Sequence, residues 1–451
     1  MSLIVPTASG YVRGVCPRGQ VGAARRFCHL HPAVLGLGGP ARQRSDPADS
    51  VTAMPRDLRL ILAVQAVRAL AYGFGSVLLG SSLAASGLTS GQVGLIFAAI
   101  IAGMAAGSLG VGRYSDRIGR RRSYVVLLAA MGLAGAVFAV TNSLWALVLA
   151  AVTGTLSTDP NESGPMTTLE QAMMAGAPLA NRVRVFGRYN AVAYLAGAAG
   201  ALLAAAPDAL RDFWPAVPAD QRWLLAYPVL AAGAVLLALR LSAAVEMPVE
   251  AAPAGGSRSA TSRISPLVRR LAALFALDAF AGGFIVQAFI VFWFGRAFGV
   301  SAATMGAVFF VAGLLQAASS ILAGRLAGRI GLLPTMVFTH IPSNVLLCLI
   351  PFAGSLPVAV GLLLGRSTLS QMDVPARQAY VVSVVAPGER TAAAAYTNSA
   401  RYVVRPAGAA LSGSVMGGIG LAAPFVLAGT LKIVYDLTLW ASCRRIALRS
   451  D

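Results

Sequence analysis

The chain is 451 residues long, 57% hydrophobic and only 12% charged, with a mean hydropathy of +0.71 and a formal net charge of +19. Soluble domains carry about 25% charged residues, which excludes a water-soluble globule and leaves a polytopic membrane protein. The basic excess falls in short clusters between apolar runs, the pattern of membrane orientation, which excludes nucleic acid as a partner.

Residues 1–53 differ from the rest of the chain. They hold six arginines, two of the three histidines, Cys16 and Cys28, and no apolar run long enough for a signal-peptide core. "MPRDLRLILAVQAV" then reads as the natural beginning of a first membrane span. Met54 is therefore expected to be the start, with 1–53 an over-extended reading frame. A disordered cytoplasmic tail is the alternative, and a transit peptide ranks third. Cys16, Cys28, Cys348 and Cys443 show no metal or disulfide spacing, so neither a metal nor a cofactor is implied. Only Lys432 among the 36 basic residues is lysine, which points to a high-GC bacterial genome.

From Met54 onward, apolar stretches recur, each long enough to cross about 30 Å of hydrocarbon. They predict spans near 59–84, 91–111, 122–141, 144–174, 187–206 and 223–242, then 270–295, 303–323, 334–353, 357–385, 394–419 and 423–443. The fold class is an all-α membrane protein of twelve spans in two six-helix bundles, 54–245 and 269–451. A Gly/Ser/Ala/Pro-rich cytoplasmic linker, 246–268, joins them. Arginines follow spans 2, 4 and 8 and close the chain, whereas the loops after spans 1, 3, 9 and 11 have no Lys or Arg. Both termini are thus placed in the cytoplasm of a cell inner membrane. The halves repeat: "RALAYGF" at 68–74 matches "DAFAGGF" at 278–284, and "GRYSDRIG" at 112–119 matches "GRLAGRIG" at 324–331. Parallel repeats of this kind are a transporter arrangement.

The loop "GRYSDRIGRRRS" resembles the signature loop of the major facilitator superfamily, through Gly112, Asp116, Arg117, Gly119, Arg120 and Arg121. The glycines suit a tight reversal, and Asp116 suits helix capping and pairing with arginine. The resemblance covers essentially 54–451 and implies two bundles that rock about a central cavity lined by spans 1, 4, 7 and 10. Span 4 lacks the arginine, and span 5 the Gly-Pro-rich run, of the drug/proton antiporters. "GPMTTLEQA" and "DVPARQAYVVSVVAPGERTAAAAYTN" look like a bacterial subgroup whose substrates are not named by the motif.

The stretch "DPNESGPMTTLEQA" puts carboxylates and prolines where span 4 should be apolar. A charge at the centre of a span costs about 2.5–3.5 kcal/mol, yet twelve occur: Arg68, Asp159, Glu162, Glu170, Asp278, Arg366, Asp373, Arg377, Arg401, Arg405, Lys432 and Asp436. Eight fall on spans 1, 4, 7 and 10, so the stretch reads as cavity wall. Pro160, Gly164 and Pro165 should kink or open span 4, and Pro375 span 10. The substrate and proton cavity is assigned to Arg68, Asp159, Asn161, Glu162, Glu170, Asp278, Gln287, Arg366, Asp373 and Arg377. Glu162, without an opposite charge in span 10, is the first choice for the proton-coupling carboxylate. Structural ion pairs are the competing reading. His340 suits a proton relay or, more commonly, a hydrogen-bonded packing role; Lys432 and Asp436 suit an i,i+4 pair. Tyr72, Phe284 and Trp293 suit packing or interfacial anchoring before ligand stacking.

These features point to a secondary active transporter of a small organic solute, proton-coupled and monomeric in the bilayer. No phosphate-binding loop is present, so ATP does not drive it, and it is not an enzyme. The alternatives are a polytopic membrane enzyme or a transport-inactive receptor or scaffold. Arg68, Glu170, Asp278 and Arg377 lie at one depth with alternating sign at repeat-equivalent positions. They are expected to form a ring, pairing between halves when the cytoplasmic side closes and within halves when it opens.

Overall fold

The computed structural model describes residues 4–7, 10–13, 56–159, 164–174, 179–216, 218, 221–246, 265–385 and 390–446. Residues 1–53 and 54–451 separate into two units. In the first, β1 (Ile4–Thr7) and β2 (Gly10–Arg13) pair antiparallel, with Val5 opposite Val12; this small hairpin is an exception to the expected all-helical chain.

The second unit is helical throughout its described residues. Spans 1–3 are α1 (Arg56–Ala85), α2 (Ser90–Ile118) and α3 (Arg120–Val140). Span 4 is broken into α4 (Leu144–Val152) and α5 (Pro165–Met174), and span 5 is α6 (Leu179–Leu203). A short α7 (Ala206–Phe213) precedes span 6, α8 (Ala226–Ala238). Span 7 is α9 (Pro266–Gly283) plus α10 (Gln287–Phe298), span 8 is α11 (Ala302–Ile330) and span 9 is α12 (Leu332–Leu349). Span 10 is α13 (Leu356–Leu369) plus α14 (Asp373–Ser383), followed by α15 (Arg390–Gly418) and α16 (Ala423–Cys443). Nine of the described helical segments are long and apolar enough to cross a membrane; spans 4, 10 and 11 fall short through their breaks and charges. Leu133, Trp145, Leu149, Val229 and Ile321 are each more than 60% exposed, an apolar belt that water would not tolerate and hydrocarbon does.

The repeat is visible in the caps. Thr89 starts α2 with a capping box, its hydroxyl accepting from Gln92 N at 3.3 Å while the Gln92 side chain accepts from Thr89 N at 2.9 Å. Ser301 starts α11 by accepting from Thr304 N at 3.3 Å. Both helices have 29 residues and both end on a positive-φ glycine, Gly119 at 100° and Gly331 at 93°. All these boundaries are displaced by the same 212 positions as the sequence match.

Of the two outcomes expected for spans 4 and 10, a kink or an opening, both spans show the opening. Span 4 leaves the helix at Thr153, not at a proline. Gly154 there has φ 65°, and a Cβ on it would lie 2.2 Å from the backbone of Gly103 on α2. Pro165 instead opens α5, and Pro375 sits in the first turn of α14, after a break at 370–372. Proline lacks an N–H that the first turn does not use, so it starts these helices rather than bending them. The break in span 7 at 284–286 was not expected. Pro160, Asn161 and Glu162 lie outside the described residues.

The halves meet at one end. Gly80 abuts Ala288, Gly94 abuts Gly413 and Gly306 abuts Ala201, so that α1, α2 and α6 press on α10, α15 and α11. A Cβ on Gly413 would fall 1.7 Å from Ser90 O, so this closure depends on bare backbone. Phe97 and Phe289 stack edge to face across it at 6.3 Å. Among the described residues, every such tight cross-half approach of a glycine lies at the end away from the signature loop.

Candidate functional site

In the N-terminal half, Arg68 and Glu170 form a buried pair, 2% and 0% exposed, with Arg68 Nη2 2.7 Å from Glu170 Oε2. Arg68 Nη2 also donates to Tyr189 OH at 3.1 Å, to Thr167 Oγ1 at 3.3 Å and to the Gln65 amide oxygen, and the guanidinium lies over the Tyr72 ring at 5.3 Å. Tyr124 and Tyr189 donate to the two Glu170 oxygens. A carboxylate with three donors, and a guanidinium whose Nη2 lies within reach of four acceptors, meets the need of buried charges for polar partners. Tyr72 OH donates to Thr155 O at 2.8 Å, fixing the broken part of span 4.

The C-terminal half gathers its charges on Asp278, which is 3% exposed. Its Oδ1 is 2.5 Å from Lys432 Nζ, and its Oδ2 is 3.3 Å from both Arg377 Nη1 and Arg401 Nη1. Arg377 also holds Asp373 at 3.1 Å and lies over Phe275. His340 Nδ1 is 2.9 Å from Asp436 Oδ1, and its Nε2 is 4.0 Å from Asp278 Oδ1. Asn344 Nδ2 donates to Asp436 Oδ2 at 3.3 Å. The expected Lys432–Asp436 pair is corrected. Spacing permits it, but Lys432 reaches across to Asp278, while Asp436 is taken by His340 and Asn344. His340 is thus buried with two carboxylates around its ring, a setting that its isolated position along the chain did not reveal.

A third set spans the halves. Asp159 Oδ2 is 2.8 Å from Arg405 Nη2, and Asp159 Oδ1 accepts from Gln287 N at 2.8 Å. Thr158 O accepts from Ala288 N at 3.1 Å. The first two N–H groups of α10, orphaned by the break in span 7, are therefore capped by the other half. Gln287 Nε2 donates to Ser76 Oγ at 2.9 Å, so this side chain bonds a neighbouring helix. Phe284 and Trp293 are 3% and 2% exposed and pack in the core, Trp293 Nε1 donating to Leu421 O at 2.7 Å. Arg366 is half-buried and, among the described residues, holds no carboxylate.

The signature loop is more helical than its glycines suggested. Gly112 lies inside α2, with open space at its Cβ position, and only Gly119 makes the reversal. Asp116 pairs with Arg120 at 2.9 Å rather than capping. The α3 N-terminus is capped by Glu246, whose oxygens accept from Arg120 N at 2.6 Å and Arg121 N at 2.9 Å. Arg121 also donates to Leu239 O, and Arg120 Nη1 reaches Ala172 O at 3.4 Å. The loop thereby ties spans 2 and 3 to the ends of spans 4 and 6. Among the described residues, no group of three or more His, Cys, Asp or Glu side chains converges as metal ligands would.

Twelve spans in two repeated bundles, closed on each other at one end and carrying buried ion clusters, define a secondary-transporter fold. The family model of the Major Facilitator Superfamily matches residues 61–364, and the chain belongs to that superfamily. It is 25% identical over 417 residues to the uncharacterized membrane protein YJR124C of Saccharomyces cerevisiae (strain ATCC 204508 / S288c), covering 85% of this chain and 93% of the yeast protein. That relative is a yeast membrane protein, so the comparisons carry the superfamily and not the expected bacterial subgroup. The fold is similar to that of the nucleoside transporter NupG (D323A mutant), with a TM-score of 0.68, 13% identity and coverage of 85% and 99% of the two chains. It is also similar to the inward open xylose transporter XylE from E. coli, with a TM-score of 0.64, 14% identity and coverage of 87% and 97%.

Both intra-half pairs of the expected charge ring are present, Arg68–Glu170 and Asp278–Arg377. A cross-half swap of Arg68 and Asp278 would therefore set like charges beside Glu170 and Arg377. Compensation should come from within one half instead. Glu170→Arg is expected to lose transport and most membrane accumulation, and Arg68→Glu with Glu170→Arg to recover accumulation at least in part. Immunoblots of membranes and uptake assays check this, and equal failure of the double reversal would show that the tyrosines, not the charge pairing, dominate.

Proposed function

We propose that the protein is a proton-coupled secondary active transporter that carries a small organic solute across a cell membrane by rocking of its two six-helix halves. The observation carrying this reading is that the halves are sealed by bare backbone at one end while ionisable clusters lie at the level of the three broken spans. With the arginine-rich loops on the cytoplasmic side, this is the inward-facing state, and both termini are cytoplasmic. The pairs Arg68–Asp278 and Glu170–Arg377 belong to the alternate state, in which the cytoplasmic side closes. A rocking fold needs groups that bind differently in its two states, and half-shared charges at helix breaks supply them.

Coupling is assigned to the carboxylates of the cavity, with Asp278 and the His340–Asp436 pair joining the sequence-based choice, Glu162. The two structural neighbours, a nucleoside transporter and a xylose transporter, support a small, polar organic cargo as the class.

The test is purified full-length protein in proteoliposomes under an imposed inward proton gradient, with a panel of nucleosides, sugars and organic acids. Accumulation that collapses with an uncoupler supports the reading. Solute flux unchanged by the uncoupler overturns the coupling, and uptake equal to empty liposomes across the panel overturns transport.

A further inference from the structure

Six of the twelve intramembrane charges are basic. Five of them, Arg68, Arg377, Arg401, Arg405 and Lys432, have a carboxylate within 4.0 Å. Arg366 has none among the described residues, and its Nε is shielded from solvent with no hydrogen-bond partner. The negative groups whose charge reaches it are Asp159, from the opposite half, and Asp373, just past the break in span 10. Both are committed elsewhere, to Arg405 and to Arg377. One turn along the same face, Ser370 Oγ is also buried without a partner. Ser370 continues the helical geometry, its N–H donating to Arg366 O at 3.0 Å, so the two side chains stand four residues apart on one face.

A guanidinium in a membrane interior costs several kcal/mol and is kept only with a partner or a use. An unpaired hydroxyl beside it repeats the pattern: two buried donors with no acceptor among the described residues. Arginine presents its N–H groups as a planar fork that matches an oxyanion in a bidentate pair. Asp159 and Asp373 each offset an arginine of their own, so the charge of Arg366 is left for an arriving anion. We infer that Arg366 and Ser370 form the subsite for an oxyanionic group, a carboxylate or phosphate, on the transported solute. This deepens the transporter reading and rests on it only for the word transported.

The experiment uses purified full-length protein and compounds matched in skeleton but not in charge: gluconate, glucose and glucosamine; nicotinate and nicotinamide; glucose 6-phosphate. Binding is read as thermal stabilisation in detergent and flux as uptake into proteoliposomes. At least one anion is expected to stabilise the wild type while its neutral or cationic counterpart does not. Arg366→Gln should weaken that binding roughly tenfold or more, the scale of losing one charge-assisted bidentate contact. Arg366→Lys should fall between, and Ser370→Ala should weaken binding less. Because Arg366 has no carboxylate partner among the described residues to abandon, Arg366→Gln should melt at or above the wild-type temperature without ligand. The inference is overturned if no anion in the set stabilises the wild type, if a neutral skeleton binds better than its acid, or if Arg366→Gln binds the anion equally well. It is also overturned if Arg366→Gln alone collapses the fold, which would make Arg366 a structural charge. Anion binding without flux would leave the subsite standing and remove the transporter reading; flux of neutral compounds without anion binding would do the reverse.

Discussion

Asp278→Asn is expected to abolish transport and to cut the amount of folded protein in the membrane. Asp278 is the only carboxylate within 4.0 Å of Lys432 and Arg401 among the described residues, and it shares Arg377 with Asp373. The amide keeps the shape and loses the charge, so two cations stay in a low-dielectric interior without a counter-ion. Breaking one partner of a buried ion pair typically costs about 3–5 kcal/mol, because the surviving charge is left uncompensated. Total stabilities are only about 5–15 kcal/mol, so such a loss is visible as a fall in detergent melting temperature and in membrane abundance. The same argument predicts its repair. Asp278→Asn with Lys432→Met removes one surviving charge and replaces the ammonium stem with an apolar chain of similar length. Accumulation should recover towards wild type while proton-coupled uptake does not, separating the fold from the coupling. Wild-type melting of Asp278→Asn alone would show that the cluster is not held by this carboxylate.

The sequence made some of this visible and hid the rest for physical reasons. Spans, their number and the parallel repeat follow from local composition, and a displacement of 212 positions carries from sequence to caps unchanged. That the intramembrane charges would turn inward and mostly pair also followed, because the cost of exposing them to lipid does not depend on their partners. Which charge meets which could not be read, since it depends on how helices far apart in the chain pack. Lys432 pairs 154 positions away rather than four along its own helix. His340 looked isolated because its partners, Asp436 and Asp278, lie on other spans. Glu246 caps α3 from 126 positions downstream, at a site that looked like the first residue of a linker. The break in span 7 had no proline to announce it. What permits it is Asp159 and Thr158 accepting the freed N–H groups from the other half, a condition no local window contains.

That shared cap gives the sharpest expected effect on the conformational equilibrium. Asp159 holds Arg405 at 2.8 Å and Gln287 N at 2.8 Å, both across the boundary between halves. Rocking that separates span 4 from α10 and α15 must break both contacts, so they stabilise the present state and not its alternate. Only such differential contacts move a two-state equilibrium. Asp159 and Arg405 are 27% and 24% exposed, which discounts the pair for solvent screening. With the charge-assisted cap, the two contacts amount to about 1.5–3 kcal/mol, roughly 10- to 150-fold in the equilibrium. Asp159→Ala should therefore shift the protein towards the state open at the end away from the signature loop. Ser76 reports on this. It is fully buried at that closed end and accepts from Gln287, and Ser76→Cys is a near-isosteric probe. In a background without other cysteines, a bulky membrane-impermeant thiol reagent should label Ser76→Cys at least about tenfold faster when Asp159 is alanine. Uptake should fall, because the return to the cytoplasmic-open state becomes unfavourable. Asp159→Asn keeps an acceptor for the Gln287 N–H but loses the ion pair, and should label at an intermediate rate. Identical labelling in all three proteins would mean that the contacts survive the transition, and the clasp would then join α10 to span 4 as one moving body.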